Sequence, residues 1–402
     1  MMHVLIAGAG PVGLTAALAL ARRGCEVTVL EAGDDLAAES RASTFHPPTL
    51  EMLDALGVGA DLLARGLVAP TFAYRDRREG LIAELDLSVL AEDTPFPYRV
   101  QCEQSKLCVI LLAHLARQPT ARVRFGWPVD SVRQAADQAD GGVVAVAEDG
   151  REVAGDWLIA ADGASSAVRR ALELPFDGIT YPERFLVAST DEDLPALLGP
   201  LAYVNYVFDP VEWSVLLRTP DHWRVLLPTP EDTPDAHELD RLDGRLRAIA
   251  DPGRPWRVAH ASLYRVHQRV AATFRQGRVL LAGDAAHVNN PLGGLGMNSG
   301  IHDAVAYAQV LASGRPAPDG GELDRAVTAV ADERRRIALT YVQEVSDQNY
   351  RRMRATDPQV RSAQLAGLRA LAEDPAAARA YLLRSSMIAS LRPDAGQPAA
   401  RA

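Results

Sequence analysis

VLIAGAGPVGLTAALALARRGCEVTVLE, Val4 to Glu31, is the stretch that decides the fold. Val4 to Ala7 is a short apolar run of strand character, followed at once by Gly8-Ala9-Gly10-Pro11-Val12-Gly13. Leu14 to Arg23 is rich in alanine and leucine, which favour helix, and Gly24 ends it. Glu26 to Leu30 is a second strand, closing on Glu31. A strand, a G-x-G-x-x-G turn, a helix, a strand and an acid together make a dinucleotide-binding unit. Gly8 permits the tight turn, Gly10 lets a pyrophosphate approach the backbone, and Gly13 lets helix and strand pack closely. The unpaired N–H groups at the helix start carry partial positive charge toward an anion. Glu31 stands near where an acid receives ribose hydroxyls, and its charge would repel a 2′-phosphate. The unit therefore suits the adenosine half of FAD or NAD better than NADP.

Two later stretches end in a similar way. In RVLLAGDAAHVNNPLGGLGMNSGIHDA, Arg278 to Ala304, an apolar strand from Val279 to Ala282 stops at Gly283-Asp284. A turn-rich loop with Pro291, Gly294 and Gly296 follows, and helical spacing returns from Met297 to Ala308. A strand ending in a carboxylate, then a glycine-rich loop and a helix start, suits a large anionic cofactor. Trp157 to Ala160 is another buried strand, ending at Asp162-Gly163 with Ser166, Arg169 and Arg170 beyond. Asp-Gly alone is only a turn signal.

Between these stretches the reading is coarser. Glu39 to Leu56 opens as a loop holding Arg41 and His46 and turns helical after its two prolines. Arg41 either reaches cofactor phosphate or is a solvated loop arginine. Val68 to Leu90 alternates like strands and turns, and Gln101 to Ala116 reads as an amphipathic helix. Gln104 in its first turn either donates to a ligand or caps the helix. Val123 to Val132 and Val143 to Ala147 read as strands about the polar loop Gln134 to Gly142. From Gly178 to Gly277 short strands rich in aromatic and β-branched residues appear, with a helix over His237 to Ala250. We read this region as a mostly antiparallel sheet inserted into the nucleotide-binding domain. Tyr203, Tyr206, Trp213, His222, Trp223 and Tyr264 are its candidates for an aromatic pocket. After Ala304 the chain is mainly helical, with a Gly/Pro loop from Ser313 to Gly321 and a Pro/Ala tail from Arg392 that reads as disordered.

Composition narrows the function classes. The 402 residues are 48% hydrophobic and 23% charged, ordinary for a globular protein. No run approaches the ~20 apolar residues of a membrane span. A net charge of −10 argues against general nucleic-acid binding. Cys25, Cys102 and Cys108 have no metal-ligand spacing and fit a reducing cytoplasm, so no metal and a cytoplasmic setting are expected. Lys106 is the single lysine, so any Schiff-base chemistry has one possible site.

Taken together, Gly8 to Gly13 with Glu31, Asp162-Gly163 with Ser166 and Arg169, and Gly283-Asp284 with Pro291, Gly294, Gly296 and Asn298 resemble three fingerprints of one family. It is the single-component FAD-dependent aromatic hydroxylases, the p-hydroxybenzoate hydroxylase-like flavoprotein monooxygenases. The order and spacing of the motifs match over nearly all of residues 1 to 345. The resemblance implies an α/β fold: a Rossmann-like, glutathione-reductase-like FAD domain with an inserted, mostly antiparallel substrate sheet and C-terminal helices. The expected segments are 1–177, with some substrate-side strands at 68–100, and 278–345 for FAD, 178–277 for substrate, 346–391 for C-terminal helices and 392–402 for the tail. The implied reaction consumes NADH or NADPH and O2 and hydroxylates a small aromatic or heteroaromatic compound through a flavin C4a-hydroperoxide. The rival readings are a flavin epoxidase, a hydride-transferring reductase on an isoprenoid or quinone precursor, or a non-catalytic flavin-binding partner.

Carried over by residue, the resemblance assigns the pyrophosphate to Gly8, Gly10, Pro11, Val12 and Gly13 and the adenosine ribose to Glu31. Arg41 and Gln104 match cofactor phosphate and ribityl contacts, and Val129 matches the backbone beside adenine. Asp162 and Gly163 would lie beside FAD and the nicotinamide path, and Asp284, after Gly283, on the ribityl chain. The loop through Pro291, Gly294, Gly296, Met297 and Asn298 would run along the isoalloxazine ring. Arg224 resembles an arginine that influences flavin movement. Pro291 through its carbonyl, His46, Tyr206 and His222 are the candidates for catalysis and proton handling. A monomer and a homodimer are equally compatible, and no second dinucleotide fold distinguishes NADH from NADPH.

Overall fold

A computed structural model describes residues 1–38, 42–134, 142–313 and 321–392. The expected tail after Arg392, the centres of the loops at 135–141 and 314–320, and Arg41 lie outside the described residues. The fold is mixed α/β, with both parallel and antiparallel sheets.

The Val4–Glu31 unit forms as read. Strand His3–Ala7 leads into the helix Pro11–Ala21, which leads to strand Glu26–Leu30. Pro11 sits at the first helical position, where its missing N–H costs nothing. The helix is buried all along from Gly13 to Ala21, as its uniformly apolar sequence requires. Leu14, Leu18 and Leu20 are fully buried, each worth about 1.5–3 kcal/mol of transfer free energy. These strands belong to a six-stranded sheet ordered Arg275–Gln276, Val279–Leu281, Trp157–Ala160, His3–Ala7, Glu26–Leu30 and Ala121–Arg124. All neighbours are parallel except the Arg275–Gln276 edge. The strands before the three glycine turns are therefore adjacent, and all three turns emerge at one edge, where open α/β sheets bind ligands.

A second, eight-stranded sheet carries the aromatic region. Its order is His287–Val288, Val258–Ala271, Phe176–Thr190, Trp223–Pro230, Ser214–Arg218, Val204–Phe208, Thr71–Asp76 and Gly80–Asp86. Its pairs are antiparallel except Val204–Phe208 with Thr71–Asp76. The C-terminal helices Gln343–Arg354, Pro358–Glu373 and Pro375–Ser385 bury Tyr350, Met353, Leu365, Leu368 and Leu382 against this sheet.

Several boundaries differ from the sequence reading. The stretch from Val123 to Val132 is two strands, Ala121–Arg124 and Val129–Gln134, in different sheets. The turn at Gly126, with φ +60°, separates them. The helix expected from Gln101 runs over Gln104–Leu115. Gln101 itself ends strand Arg99–Gln101, which pairs on both sides, with Thr44 and with Leu67. The helix after the two prolines starts on the first of them, Pro47. The helix over His237 to Ala250 breaks at Arg241 into Asp235–Asp240 and Leu242–Ile249. Among the described residues, no helix is long and apolar enough to cross a membrane and no metal-ligating cluster forms.

Candidate active site

The first turn is shaped by steric exclusion. Gly8 has φ +100°, and a Cβ there would stand 2.5 Å from the Ala161 carbonyl oxygen. A Cβ on Gly13 would stand 2.0 Å from the Gly8 carbonyl oxygen, so only glycine lets the helix approach the strand. Gly10 is different: its Cβ would meet nothing within 4 Å. No side chain caps the helix that begins at Pro11, so its first N–H groups face that open space. Glu31 lies beside the turn, its carboxylate accepting from the Ala9 N–H at 2.6 Å and the Gly33 N–H at 2.9 Å.

The second turn follows Trp157–Ala160. Asp162 accepts from the Val168 N–H through Oδ2 at 3.1 Å, while its Oδ1 is buried without a partner. Gly163 takes φ +81°. Ser166 caps the short helix Ala167–Ala171 by accepting from the Arg169 N–H at 2.9 Å. Arg169 braces this turn to the third. It donates to the Ala164 carbonyl at 2.7 Å and the Ala285 carbonyl at 2.8 Å, and lies 3.8 Å over the Phe176 ring.

The third turn is held from below. Asp303, fully buried on the helix Gly296–Ser313, accepts from the Gly283 N–H at 3.1 Å. Its other partners are Arg334 at 2.6 Å and His287 at 3.0 Å. Burial pushes the Asp303 carboxyl up, but Arg334 and then His287 outweigh it and hold it below the usual range. Met297 and Asn298 lie in the first turn of that helix, and Asn298 is consumed internally. Its Oδ1 accepts from the His46 N–H at 3.0 Å, and its Nδ2 donates to the carbonyls of Thr44 at 2.8 Å and Gly294 at 2.6 Å.

A cavity of about 260 Å³ lies between this loop and the second sheet. Asp284, Pro291, Gly294, Gly296 and Met297 line one side of it; Tyr206, Tyr264, Arg224 and Arg99 are among the rest. Burial pushes the Tyr206 hydroxyl up, with the Arg99 charge acting in opposition. A wider crevice of about 670 Å³, lined by Arg22, Glu51 and Arg392, shares no residue with the three turns.

The other expected residues divide. Of the six aromatic-pocket candidates, Tyr206 and Tyr264 line the cavity. Trp213 is core, edge-on to Phe185, and Tyr203 and Trp223 line a separate recess. His222 lies in an adjoining recess of about 360 Å³ that shares Arg224 and Tyr264 with the cavity. Its Nδ1 sits 2.8 Å from Asp191. His46 is buried and is not among the residues lining the cavity. Its Nε2 donates to the Gly293 carbonyl at 2.8 Å, and burial, then the Arg99 charge, push its pKa well below the ordinary value. Gln104, at the start of its helix, accepts from the Ala42 N–H at 3.3 Å. Val129 begins its strand opposite Ala147. Arg99 and Tyr74 were not foreseen; an arginine in the short run PYRVQ leaves no local signal.

The donor set fits FAD. Gly10 opens a face that a side chain would fill, an uncapped helix start points at it, and the orphaned Asp162 Oδ1 lies along the same edge. Residues 1–343 match the family described as FAD binding domain. The chain is 36% identical over 387 residues to the para-nitrophenol 4-monooxygenase of Pseudomonas sp. (strain WBC-3), covering 94% of each chain. It is 38% identical over 345 residues to the 6-hydroxy-3-succinoylpyridine 3-monooxygenase of Pseudomonas putida (strain DSM 28022 / S16), covering 83% of this chain and 85% of that one. The crystal structure of p-nitrophenol 4-monooxygenase from Pseudomonas putida DLL-E4 superposes with a TM-score of 0.88 at 33% identity, over 95% of this chain and 98% of that one. Because the match runs from the first glycine turn past the third, the chain belongs to the single-component FAD-dependent aromatic hydroxylases, the p-hydroxybenzoate hydroxylase-like flavoprotein monooxygenases.

Proposed function

We propose that this chain hydroxylates a one-ring phenol or hydroxypyridine in the cavity beneath the Pro291–Met297 loop, using reduced nicotinamide and O2. The observation that carries the reading is that the loop leaving the third glycine turn also lines the cavity, so that one loop would serve both cofactor and substrate. The relatives matched over most of their length are named monooxygenases of a nitrophenol and a hydroxypyridine, which favours hydroxylation over the epoxidase and reductase readings.

FAD, when bound, supplies the redox and oxygen chemistry. The chain binds, orients, excludes water and handles protons. We assign the pyrophosphate to Gly8, Gly10, Pro11, Val12 and Gly13, the adenosine ribose to Glu31 and the adenine side to Val129. Asp162 and Gly163 would lie beside FAD, Gly283 and Asp284 along the ribityl chain, and Gln104 at the phosphate and ribityl region. The amides of Gly294, Gly296 and Met297 and the Pro291 carbonyl would face the ring system, where a helix start favours negative charge as it develops. Asn298 and His46 act by holding that loop in place. The neutral His46 ring has one N–H and spends it on Gly293, so Tyr206 on the cavity wall is the better proton-handling group. The two sheets then form an FAD-binding, glutathione-reductase-like part and an inserted substrate part. Three free, buried cysteines suit a reducing cytoplasm.

The test is oxygen labelling. Purified holoenzyme, NADH or NADPH and a panel of phenols and hydroxypyridines under 18O2 should give one product with a single labelled oxygen on the ring. A product oxygen derived from water, or ring reduction without oxygen uptake, would overturn the proposal.

A further inference from the structure

The loop that lines the cavity is seated on a C-terminal helix. Leu292 and Leu295 flank Gly293 and Gly294, which take φ +106° and +68°, so the chain turns sharply between two apolar side chains. Both side chains are buried, at 2% and 0% exposed. Leu292 packs in the cluster that holds Tyr350 and Met353, on the helix Gln343–Arg354. Leu295 packs with Ile337, Val342, Val345 and Met387. Between these two seats Asn349, on the same helix, donates through Nδ2 to the Leu292 carbonyl at 3.3 Å. That nitrogen would stand 3.0 Å from a Cβ on Gly293, so the loop backbone lies directly against it.

The sequence of the helix is arranged to face the loop. Val342, Val345, Ser346, Asn349, Tyr350 and Met353 follow the i, i+3, i+4, i+7, i+8, i+11 spacing of one helical face. Residues Ala338–Val342 form a π-turn, in which the Gln343 N–H reaches back to the Ala338 carbonyl. Residues five apart point about 140° away from each other on an α-helix. The π-turn closes five residues into one turn, which lets both Ile337 and Val342 join the Leu295 cluster. The helix is in turn pinned to the second sheet. Tyr350 donates to Glu183, and Arg354 pairs with Glu183 at 2.9 Å. Tyr350 also stands edge-on to Tyr181 at 4.4 Å, and the Tyr181 hydroxyl accepts from Asn290 Nδ2 at 3.1 Å. The loop is thus held from two sides. His46 and Asn298 take the carbonyls of Gly293 and Gly294, and a helix fixed to the second sheet takes Leu292.

We propose that Asn349 is a positioning residue for the reaction: it ties the Leu292–Gly293 backbone to the C-terminal helix, so that the loop stays closed over the cavity while O2 is consumed. The product readout rests on the hydroxylase reading; the tie itself rests on the geometry alone. A seated loop keeps water from the reacting edge. With the loop seated, NADH, H+, O2 and a ring C–H give NAD+, a ring C–OH and H2O. With it unseated, NADH, H+ and O2 give NAD+ and H2O2, and the ring leaves unchanged.

The test compares Asn349→Leu, which keeps the bulk and removes the donor, with Gln348→Ala on the exposed side of the same helix, where Gln348 bonds Glu344. A neutral hydrogen bond shifts an equilibrium about 2- to 12-fold. The substrate is whichever ring compound of the labelling panel is hydroxylated. In Asn349→Leu the ratio of hydrogen peroxide to hydroxylated product should rise by about 2- to 12-fold, the worth of the lost bond. FAD binding, which the three glycine turns carry, should stay as in the parent, and Gln348→Ala should change neither. Hydrogen exchange on the oxidised holoenzyme without nicotinamide gives a readout independent of turnover: amides of the 289–296 loop should exchange faster in Asn349→Leu alone. An unchanged peroxide ratio in that variant would overturn the proposal. So would exchange that quickens along the whole helix as much as in the loop, the mark of a merely structural role. Should Asn349→Leu fail to fold, the parent still decides. Its loop amides must be protected like those of Gln343–Arg354 with no substrate present, and free exchange of the loop beside a protected helix would overturn the proposal. Faster loop exchange with no labelled product from any ring would sink the hydroxylase reading and leave the Asn349 tie standing; labelled product with unchanged loop exchange would do the reverse.

Discussion

Replacing Gly10 by alanine should separate cofactor binding from folding. Gly10 has φ −73° and ψ −179°, an extended conformation open to any residue. An added Cβ meets no protein atom within 4 Å. The apoprotein should therefore keep its stability or gain about 0.4–1 kcal/mol, because alanine restricts the unfolded chain. The methyl group would occupy the face through which a pyrophosphate reaches the helix N–H groups. Losing one or two charge-assisted hydrogen bonds there, at about 1.5–3 kcal/mol each, weakens FAD binding by about one to four powers of ten. The neighbouring glycines behave in the opposite way. Gly13→Ala places a Cβ 2.0 Å from the Gly8 carbonyl oxygen, and Gly8→Ala forces alanine to φ +100° against Ala161, so both should lose the fold. The assay pairs thermal unfolding of the three apo variants with FAD titration by flavin fluorescence quenching. A Gly10→Ala protein that binds FAD like the parent would refute the placement of the pyrophosphate, and one as unstable as Gly13→Ala would refute the packing argument.

Three other perturbations follow from buried partners. Asn298→Ala strands the His46 N–H and the carbonyls of Thr44 and Gly294, so urea unfolding should show a loss of about 3–5 kcal/mol together with weaker FAD retention; a loss under about 1 kcal/mol would contradict the bracing role. Asp303→Ala leaves Arg334 buried without its carboxylate and should cost about 3–5 kcal/mol in the same assay, whereas a neutral change would show that the pair contributes nothing. Acid should destabilise the fold early. Burial, with the Arg334 charge adding to it, pushes His302 down to about 3, and His46 is also held well below its ordinary value. An unfolded histidine protonates near pH ~6.5 while these folded ones do not, so the unfolded state binds more protons below that point. Stability is then intact above about pH 6.5 and falls toward about pH 3, by about 1.4 kcal/mol per pH unit for each ring. His302→Gln should flatten that slope, and unfolding midpoints unchanged between about pH 7 and pH 5 would refute the assignment.

What the sequence made legible follows from how local each constraint is. Gly8, Gly10 and Gly13 answer steric demands within a few residues of one another, so they leave a readable pattern. The adjacency of the three turns needed only the parallel order of the strands that lead into Gly8, Asp162 and Gly283. Arg99 was not legible because its setting is assembled at long range. Strand Thr71–Asp76, which carries Phe72 and Tyr74, lies beside Val204–Phe208, which carries Tyr206, and Tyr381 arrives from a C-terminal helix. His46 drew notice as a histidine in a loop, but its ring is spent on a carbonyl contributed 247 residues later. The C-terminal stretch reads as helical without showing what it packs against; burial of Met353 and Leu368 against the second sheet supplies that.

The most direct test of the central claim is anaerobic stopped-flow on the FAD-loaded enzyme. Flavin bleaching by NADH or NADPH is followed with and without a phenol or hydroxypyridine, and the reduced enzyme is then mixed with O2. The account predicts that a one-ring compound bound in the cavity accelerates bleaching by orders of magnitude, and that oxygen then yields a hydroxylated ring. Reduction equally fast without any aromatic compound, followed by hydrogen peroxide alone, would contradict it.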